Sequence, residues 1–190
     1  MNNQYVEDKV FEKIDFAIKP LAQADYDNCQ FSHCNFANAD ISGCTFTDCQ
    51  FTDCNISVTK LNKTIFRDVK FLQCKMLGLL FDASNDFGLA FSFDHCTLNH
   101  SSFYKAKIKK TNFIHCQLIE VDFTEADLSG SVFDHSDLSS ARFENTNLEK
   151  SDFRLARGFT IDPNLNKIKK AKFSINGLPG LLNGYGIIIE

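Results

Sequence analysis

Large apolar residues recur at every fifth position through most of this chain, and this period restricts the fold more than any other feature. One series runs from Tyr26 to Phe81 and a second from Phe93 to Phe153, which together give 25 large apolar centres. In the second series phenylalanine alternates with leucine or isoleucine without exception. A period of five fits neither an amphipathic helix nor the two-residue alternation of a strand. It is typical of a backbone that runs straight for a few residues and then turns a corner.

The position two residues before most centres carries a small or modest side chain. Residues two apart on an extended segment project to the same side, so we expect the small residue and the centre to point inward together. The other three positions, rich in Asp, Asn, Ser, Thr and Lys, then face water. All eight cysteines occupy the small inward position: Cys29, Cys34, Cys44, Cys49, Cys54, Cys74, Cys96 and Cys116.

The stretches ANADIS, TEADLSG and HSDLSSARF resemble the A(D/N)LXX motif of the pentapeptide-repeat family. The similarity covers Ala24 to Leu155 in one sustained register. It implies an all-β fold, a right-handed quadrilateral β-helix with four pentapeptides and twenty residues per coil. The 25 centres would then give about six coils and a rod of roughly 30 Å. Phenylalanine stacks would lie on opposite sides of each coil, with Leu or Ile on the other two.

The resemblance also suggests a division of the chain into three parts. Residues 1–23 would form an irregular first coil, 24–156 the repeat β-helix, and 157–190 a C-terminal cap. Twelve residues separate Phe81 from Phe93 where ten would keep phase, so we expect a two-residue interruption within 82–92. A structural bulge is favoured there over a contact loop. In the cap, KIKKAKF reads as an alternating strand, and LPGLLNGYG indicates a short helix ended by glycine.

The C-terminal segment is similar to the cap of quinolone-resistance-type and microcin-immunity-type members of the family. In those relatives the cap joins two rods end to end, so the resemblance implies a homodimer; a monomeric cap is the alternative. The expected interface residues are Leu178, Leu181, Leu182, Tyr185, Ile187, Ile188 and Ile189.

The cysteines have three possible roles: a metal site, a disulfide ladder or core packing. Cysteines stacked on this fold lie twenty residues apart, as Cys34, Cys54 and Cys74 do, and their spacing would allow a disulfide. Parallel side chains and a reducing cytoplasm oppose one. Zinc needs four converging ligands, which a ladder does not supply. We therefore expect core packing, with no metal and no cofactor.

Three histidines, His95, His115 and His135, should stack on one outer edge, with His100 one corner away. Stacked imidazoles could bind a metal or repel one another on protonation. A solvated ladder is the favoured interpretation.

The net charge of -4 argues against a general nucleic-acid binder. Acidic residues concentrate between 120 and 152, with lysines on either side at 105–110 and 167–172. An acidic rod could occupy a DNA-binding groove, but the family motif itself favours Asp before each centre, so mimicry of DNA and simple solvation stay equal alternatives. The candidate partner-binding residues are Glu120, Asp122, Glu125, Asp127, Asp134, Asp137, Glu144, Glu149 and Asp152.

No motif of a hydrolase, metalloprotease or phosphate-binding loop occurs in the chain, so we expect no enzymatic activity. The N-terminus lacks a basic flank followed by an apolar core, and no apolar run is long enough to cross a bilayer, so we expect a cytoplasmic protein without membrane contact. The resemblance implies a protein that binds DNA gyrase or topoisomerase IV and protects it from a toxin or a quinolone-like poison. The alternative is a general protein-interaction scaffold with no topoisomerase role.

Overall fold

The structure, a computed structural model, describes residues 4–84 and 88–188. Its strands are short and all of their pairings are parallel, in a four-stranded and a seven-stranded sheet. The strands are β1 (Gln4–Glu7), β2 (Val10–Glu12), β3 (Ala24–Asp27), β4 (Gln30–Ser32), β5 (Thr45–Thr47), β6 (Gln50–Thr52), β7 (Ile65–Arg67), β8 (Val69–Leu72), β9 (Phe91–Asp94), β10 (Asn112–Ile114) and β11 (Val132–Asp134).

Most strands pair with the strand twenty residues later, as β4 does with β6 through Phe31 and Phe51. Single parallel bridges with the same spacing complete two further sides, for example Asn35 with Asn55 and Asp40 with Lys60. The chain therefore forms a right-handed quadrilateral β-helix, as the family resemblance implies. We number its faces in chain order by their centres: face 1 (Tyr26, Phe46, Phe66, Ile108, Leu128, Leu148), face 2 (Phe31, Phe51, Phe71, Phe93, Phe113, Phe133, Phe153), face 3 (Phe36, Ile56, Met76, Leu98, Leu118, Leu138) and face 4 (Ile41, Leu61, Phe81, Phe103, Phe123, Phe143).

Most corners depend on left-handed backbone two residues after a centre. The left-handed non-glycine residues at these corners have φ between 48° and 62°. Their N–H groups donate to the next coil, as His33 does to the Thr52 carbonyl at 3.0 Å. Left-handed backbone costs an ordinary L-residue about 1–2 kcal/mol, so the stacked hydrogen bonds must offset this cost at every turn.

The small inward position is buried throughout the coils, as predicted, and its polar atoms bond to the neighbouring coil. The Cys54 thiol donates to the Phe31 carbonyl at 3.4 Å, and the Ser136 hydroxyl donates to the Phe113 carbonyl at 3.0 Å. The Thr146 hydroxyl donates to the Phe123 carbonyl at 2.8 Å. Cysteine, serine and threonine are thus equivalent here, because each is small and satisfies a buried carbonyl.

Face 2 carries a column of nine stacked phenylalanines from Phe11 to Phe173, with centroid spacings from 4.6 to 5.3 Å. The second aromatic column changes position along the rod. It lies on face 1 up to Phe66 and on face 4 from Phe81 to Phe143. The predicted placement on opposite sides therefore holds only after the interruption, since faces 1 and 2 are adjacent.

The interruption lies on face 1. Phe81 pairs by ring stacking with Phe103, and Phe71 pairs in register with Phe93, each with an offset of 22 rather than 20 residues. The two extra residues therefore lie between Phe81 and Phe93. In this segment a 3₁₀ turn (Phe81–Ala83) ends and β9 begins. Phe91 fills the inward position and packs against Phe66 and Phe93. Residues 85–87 of the predicted interruption lie outside the described residues.

The coil register extends past residue 156, the predicted end of the repeats. Bridges join Lys167 to Asn147 and Lys172 to Asp152, and the Phe173 ring stacks on Phe153. KIKKAKF was expected to be a strand, but it forms bridges and turns of a last partial coil. Then follow a 3₁₀ turn (Ile175–Gly177), helix α1 (Pro179–Leu182) and a second 3₁₀ turn (Asn183–Tyr185). None of the helices in the described residues has the length and hydrophobicity needed to span a membrane.

Val58 provides a test of the corner geometry. It is a β-branched residue at φ 55°, a conformation that Asn tolerates better because its short polar side chain bonds locally. We expect Val58→Asn to raise the free energy of unfolding by about 1 kcal/mol, measured by urea denaturation. The matched change Val10→Asn, at an exposed position in strand β2, should leave stability unchanged or lower it. Destabilisation by Val58→Asn would contradict this account of the corners.

Candidate functional site

The cysteines line the core and do not form a reactive site. All eight are free and buried. Burial raises the pKa of the Cys49 thiol to about 12, and it also raises the pKa of the Cys44 thiol. Among residues 4–84 and 88–188, no group of three or more His, Cys, Asp and Glu side chains is placed to hold a metal ion.

The histidine ladder has the predicted geometry. The ring centroids of His95 and His115 lie 4.6 Å apart, and those of His115 and His135 lie 4.9 Å apart. Two of the rings also contact a carboxylate, since Asp94 and Asp134 lie 2.7 Å from the Nδ1 atoms of His95 and His135. The ladder is exposed on the corner between faces 2 and 3, and its interpretation as a solvated ladder stays a prediction.

Four of the nine candidate acids sit directly before a centre, and their carboxylates support the backbone. Asp122 accepts a hydrogen bond from the Thr124 N–H at 2.9 Å, and Asp137 accepts from the Ser139 N–H at 3.0 Å. Asp127 and Asp152 make the equivalent bond two residues along the chain. This hydrogen bond stabilises the start of each turn, so these four acids contribute to folding whatever else they do.

The same four acids are paired with cations. Arg157 lies 3.1 Å from Asp137, one coil away, and Arg154 lies 2.7 Å from Asp152. Partial burial raises the pKa of Asp137, but hydrogen bonds from Ser139 and the Arg157 guanidinium lower it by more, so the net pKa is below its ordinary value. For Asp152, the hydrogen bond from Arg154 is the main cause of a lowered pKa. These carboxylates therefore stay charged, but the paired Lys and Arg side chains largely cancel their negative charge at the surface.

The nine candidate acids are distributed unevenly over the faces. Glu120, Glu125 and Glu144 are exposed on face 4 or the corners that bound it, near Asp122. Glu120 contacts His100 at 3.2 Å and Glu125 contacts Lys105 at 3.6 Å. The other acids lie elsewhere: Asp134 and Asp152 on face 2, Asp137 on face 3, Asp127 and Glu149 on face 1. The structure thus brings four of the nine candidate residues together.

The C-terminal residues predicted to form a dimer interface are mostly on the surface. Leu178, Tyr185, Ile187 and Ile188 are exposed, the last at 88%. Leu181 and Leu182 are half-buried, and Leu181 packs on the core. Ile189 lies outside the described residues. Helix α1 lies so close to the last coil that a Cβ at Gly180 would collide with the carbonyl oxygen of Phe159.

The arrangement of the lysines is not apparent from their order along the chain. Those before and after the acidic segment look like two separate clusters along the chain, at 105–110 and 167–172. Bridges from Lys107 to Asp127, from Asp127 to Asn147 and from Asn147 to Lys167 place most of them on face 1. The twenty-residue spacing could have revealed this.

Comparison with known proteins agrees with the fold. The family described as a pentapeptide repeat region matches residues 24–85 and 87–153. Two structures of trypsin-treated variants of QnrB1, a plasmid-mediated fluoroquinolone resistance protein, are similar. One has a TM-score of 0.65 at 19% identity, over 100% of this chain and 92% of the other. The second has a TM-score of 0.56 at 18% identity, over 98% and 99%. No curated protein matches the chain.

The burial of the cysteines leads to a labelling prediction. Because all eight thiols are buried, iodoacetamide at pH 8 should modify none of them in the folded protein and all of them in guanidinium chloride. Asn176→Cys, at an exposed position, provides a control thiol that should react rapidly in the folded state. Mass spectrometry would count the modifications, and rapid labelling of any native cysteine would contradict the prediction.

Proposed function

Because the chain belongs to the pentapeptide-repeat family, we propose that it is a non-enzymatic binding protein that protects DNA gyrase or topoisomerase IV from a toxin or a quinolone-like poison. The observation that carries the proposal is the likeness of fold to QnrB1, a fluoroquinolone resistance protein, which spans the whole of this chain. The rod shape supports a binding role, since a solenoid presents extended surfaces to partners.

The acidic surface of face 4 is the proposed contact. Glu120 and Glu125 project from the two corners that bound face 4 in one coil, and Glu144 projects from the next coil, about 5 Å along the rod. None of them accepts a hydrogen bond that caps a turn in the described structure. A cluster of exposed carboxylates can replace phosphates in a groove that binds DNA. The poison is then displaced because the protein competes for the DNA-binding groove or releases the trapped cleavage complex, and no covalent bond changes.

The C-terminal segment is the proposed dimer interface. Exposed apolar side chains are concentrated at this end of the rod, with Ile175 at 85% and Ile188 at 88% exposure. Contiguous exposed apolar patches commonly mark interaction surfaces. Two copies joined through residues 178–189 would form a double-length rod.

A general protein-interaction scaffold is the second candidate function. The observation that favours it is the neutralisation of Asp122, Asp127, Asp137 and Asp152 by neighbouring cations and turn N–H groups. A surface so largely compensated imitates DNA poorly. On this alternative the protein has no effect on a topoisomerase.

A topoisomerase assay separates the two candidates. We expect micromolar protein to reduce quinolone-induced cleavage by gyrase or to alter its supercoiling activity. The triple variant Glu120→Gln, Glu125→Gln, Glu144→Gln should lose most of this effect, because it removes the exposed charge without removing a turn cap. The triple variant Glu7→Gln, Glu12→Gln, Asp68→Asn, at exposed residues outside the acidic segment, is a matched control and should keep the effect. No effect of the unmodified protein on either activity would refute topoisomerase protection.

The dimer is tested by light scattering. We expect the mass of two chains, and the double variant Ile187→Asp, Ile188→Asp should give one chain, because two buried charges would oppose association. Ile18→Asp, at a residue 82% exposed near the other end of the rod, is the control and should leave the mass unchanged. A monomeric mass for the unmodified protein, or a dimeric mass for the double variant, would refute this interface. Deleting residues from 178 onward tests the same interface.

A further inference from the structure

Face 1 changes its charge at the interruption. Before it, the outward positions of face 1 carry six carboxylates and one arginine: Glu7, Asp8, Asp25, Asp27, Asp48, Asp68 and Arg67. After it, the same positions carry seven lysines and two carboxylates: Lys107, Lys109, Lys110, Lys150, Lys167, Lys169, Lys170, Asp127 and Glu149. All seven lysines are exposed. We call the second half, residues 107–110, 127–130, 147–150 and 167–170, the lysine face.

The cations of this half of the rod are paired everywhere except on the lysine face. Outside it, each Lys and Arg between 105 and 172 contacts a carboxylate: Lys105, Arg142, Arg154, Arg157 and Lys172. On the lysine face only Lys109 does so, to Asp127 at 3.2 Å. The other six form no ion pair with a residue that the structure describes. Within residues 105–172, the unpaired Lys and Arg side chains are therefore confined to one side of the rod.

The two carboxylates on the lysine face reduce its charge little. Asp127 also accepts hydrogen bonds from the Ser129 N–H at 3.1 Å and from the Asn147 amide at 3.1 Å, so its oxygens are largely occupied. Glu149 lies beside Lys150 and Lys169 in the outermost coils. Gly130 stands in the corner column between Lys110 and Lys150, where the Lys110 stem would meet any Cβ at 3.4 Å. The missing side chain leaves room for that stem.

We propose that the lysine face binds the phosphate backbone of duplex DNA. Lysine ammonium groups are the point charges that neutralise phosphates without regard to sequence. A protein partner fits less well, since protein interfaces are depleted in lysine and depend on buried aromatic or apolar anchors. None of the outward residues of the lysine face is aromatic or apolar. The absence of an exposed aromatic there also favours a duplex over a single strand, which would need stacking platforms.

The size of the lysine face matches a short contact. Four coils at about 4.8 Å spacing span roughly 15 Å, a length in which duplex DNA carries about nine phosphates. The acidic half of face 1 would repel the duplex and confine it to the coils after the interruption. Six unpaired lysines predict weak, strongly salt-dependent binding. This agrees with a chain whose net charge of -4 disfavours general nucleic-acid affinity.

Fluorescence anisotropy with a labelled 20-base-pair duplex of arbitrary sequence tests the proposal. We expect saturable binding at 50 mM salt, with a slope of log affinity against log salt between about -3 and -5. The triple variant Lys150→Gln, Lys167→Gln, Lys170→Gln should weaken binding at least about tenfold and make the slope shallower by about 3. Its circular dichroism and melting temperature should be unchanged, because all three side chains are exposed.

The matched control is Arg142→Gln, Arg154→Gln, Lys172→Gln, which gives the same net charge but removes cations from faces 2 and 4. It should retain most of the affinity. Equal losses in the two triple variants would overturn the proposal, since net charge and not the lysine face would then set binding. No binding at 50 mM salt, tighter binding of poly-glutamate than of the duplex, or lysine-dependent self-association without DNA binding would each overturn it as well. The assay contains no topoisomerase, so its outcome is independent of the proposed protective function.

Discussion

Hydrogen bonding between residues twenty apart is the constraint on which the rest of this structure depends. Left-handed corner residues such as His33, Asn38 and Lys63 turn the chain every five residues, and their N–H groups bond to the next coil. Because each coil has four sides of five residues, each residue lies above the residue twenty positions earlier in the chain. Any side chain repeated at that interval becomes a column, whether it is Phe in the core or Lys on the surface.

This stacking has opposite consequences inside and outside the rod. In the core, like side chains are compatible, and the phenylalanines of face 2 stack nearly parallel, as Phe113 and Phe133 do at 5.0 Å and 3°. On the surface, like charges in a column repel. Faces 2, 3 and 4 avoid this in the later coils by alternating sign, with Asp122 beneath Arg142 and Asp137 beneath Arg157. The lysine face does not alternate in this way.

The two proposed binding surfaces lie on neighbouring faces of the same coils. Face 4 presents Glu120, Glu125 and Glu144, and the lysine face lies around the next corner, where Glu125 contacts Lys105. An acidic side suited to a DNA-binding groove and a basic side suited to DNA would allow one rod to contact both components of an enzyme–DNA complex. The apolar C-terminal end is a third surface, distinct from both.

The sequence by itself determined the repeat, the inward positions and the burial of the eight cysteines, because a five-residue period leaves few ways to bury Phe31 or Cys54. It did not determine the position of the second aromatic column, since the shift from face 1 to face 4 depends on where the two extra residues are inserted. Nor did it reveal the lysine face. Lys110 and Lys170 are sixty residues apart in the chain, and net charge averages them with the acids of other faces. Only coiling places them on one face, because the backbone hydrogen bonds return the chain to the same side every twenty residues.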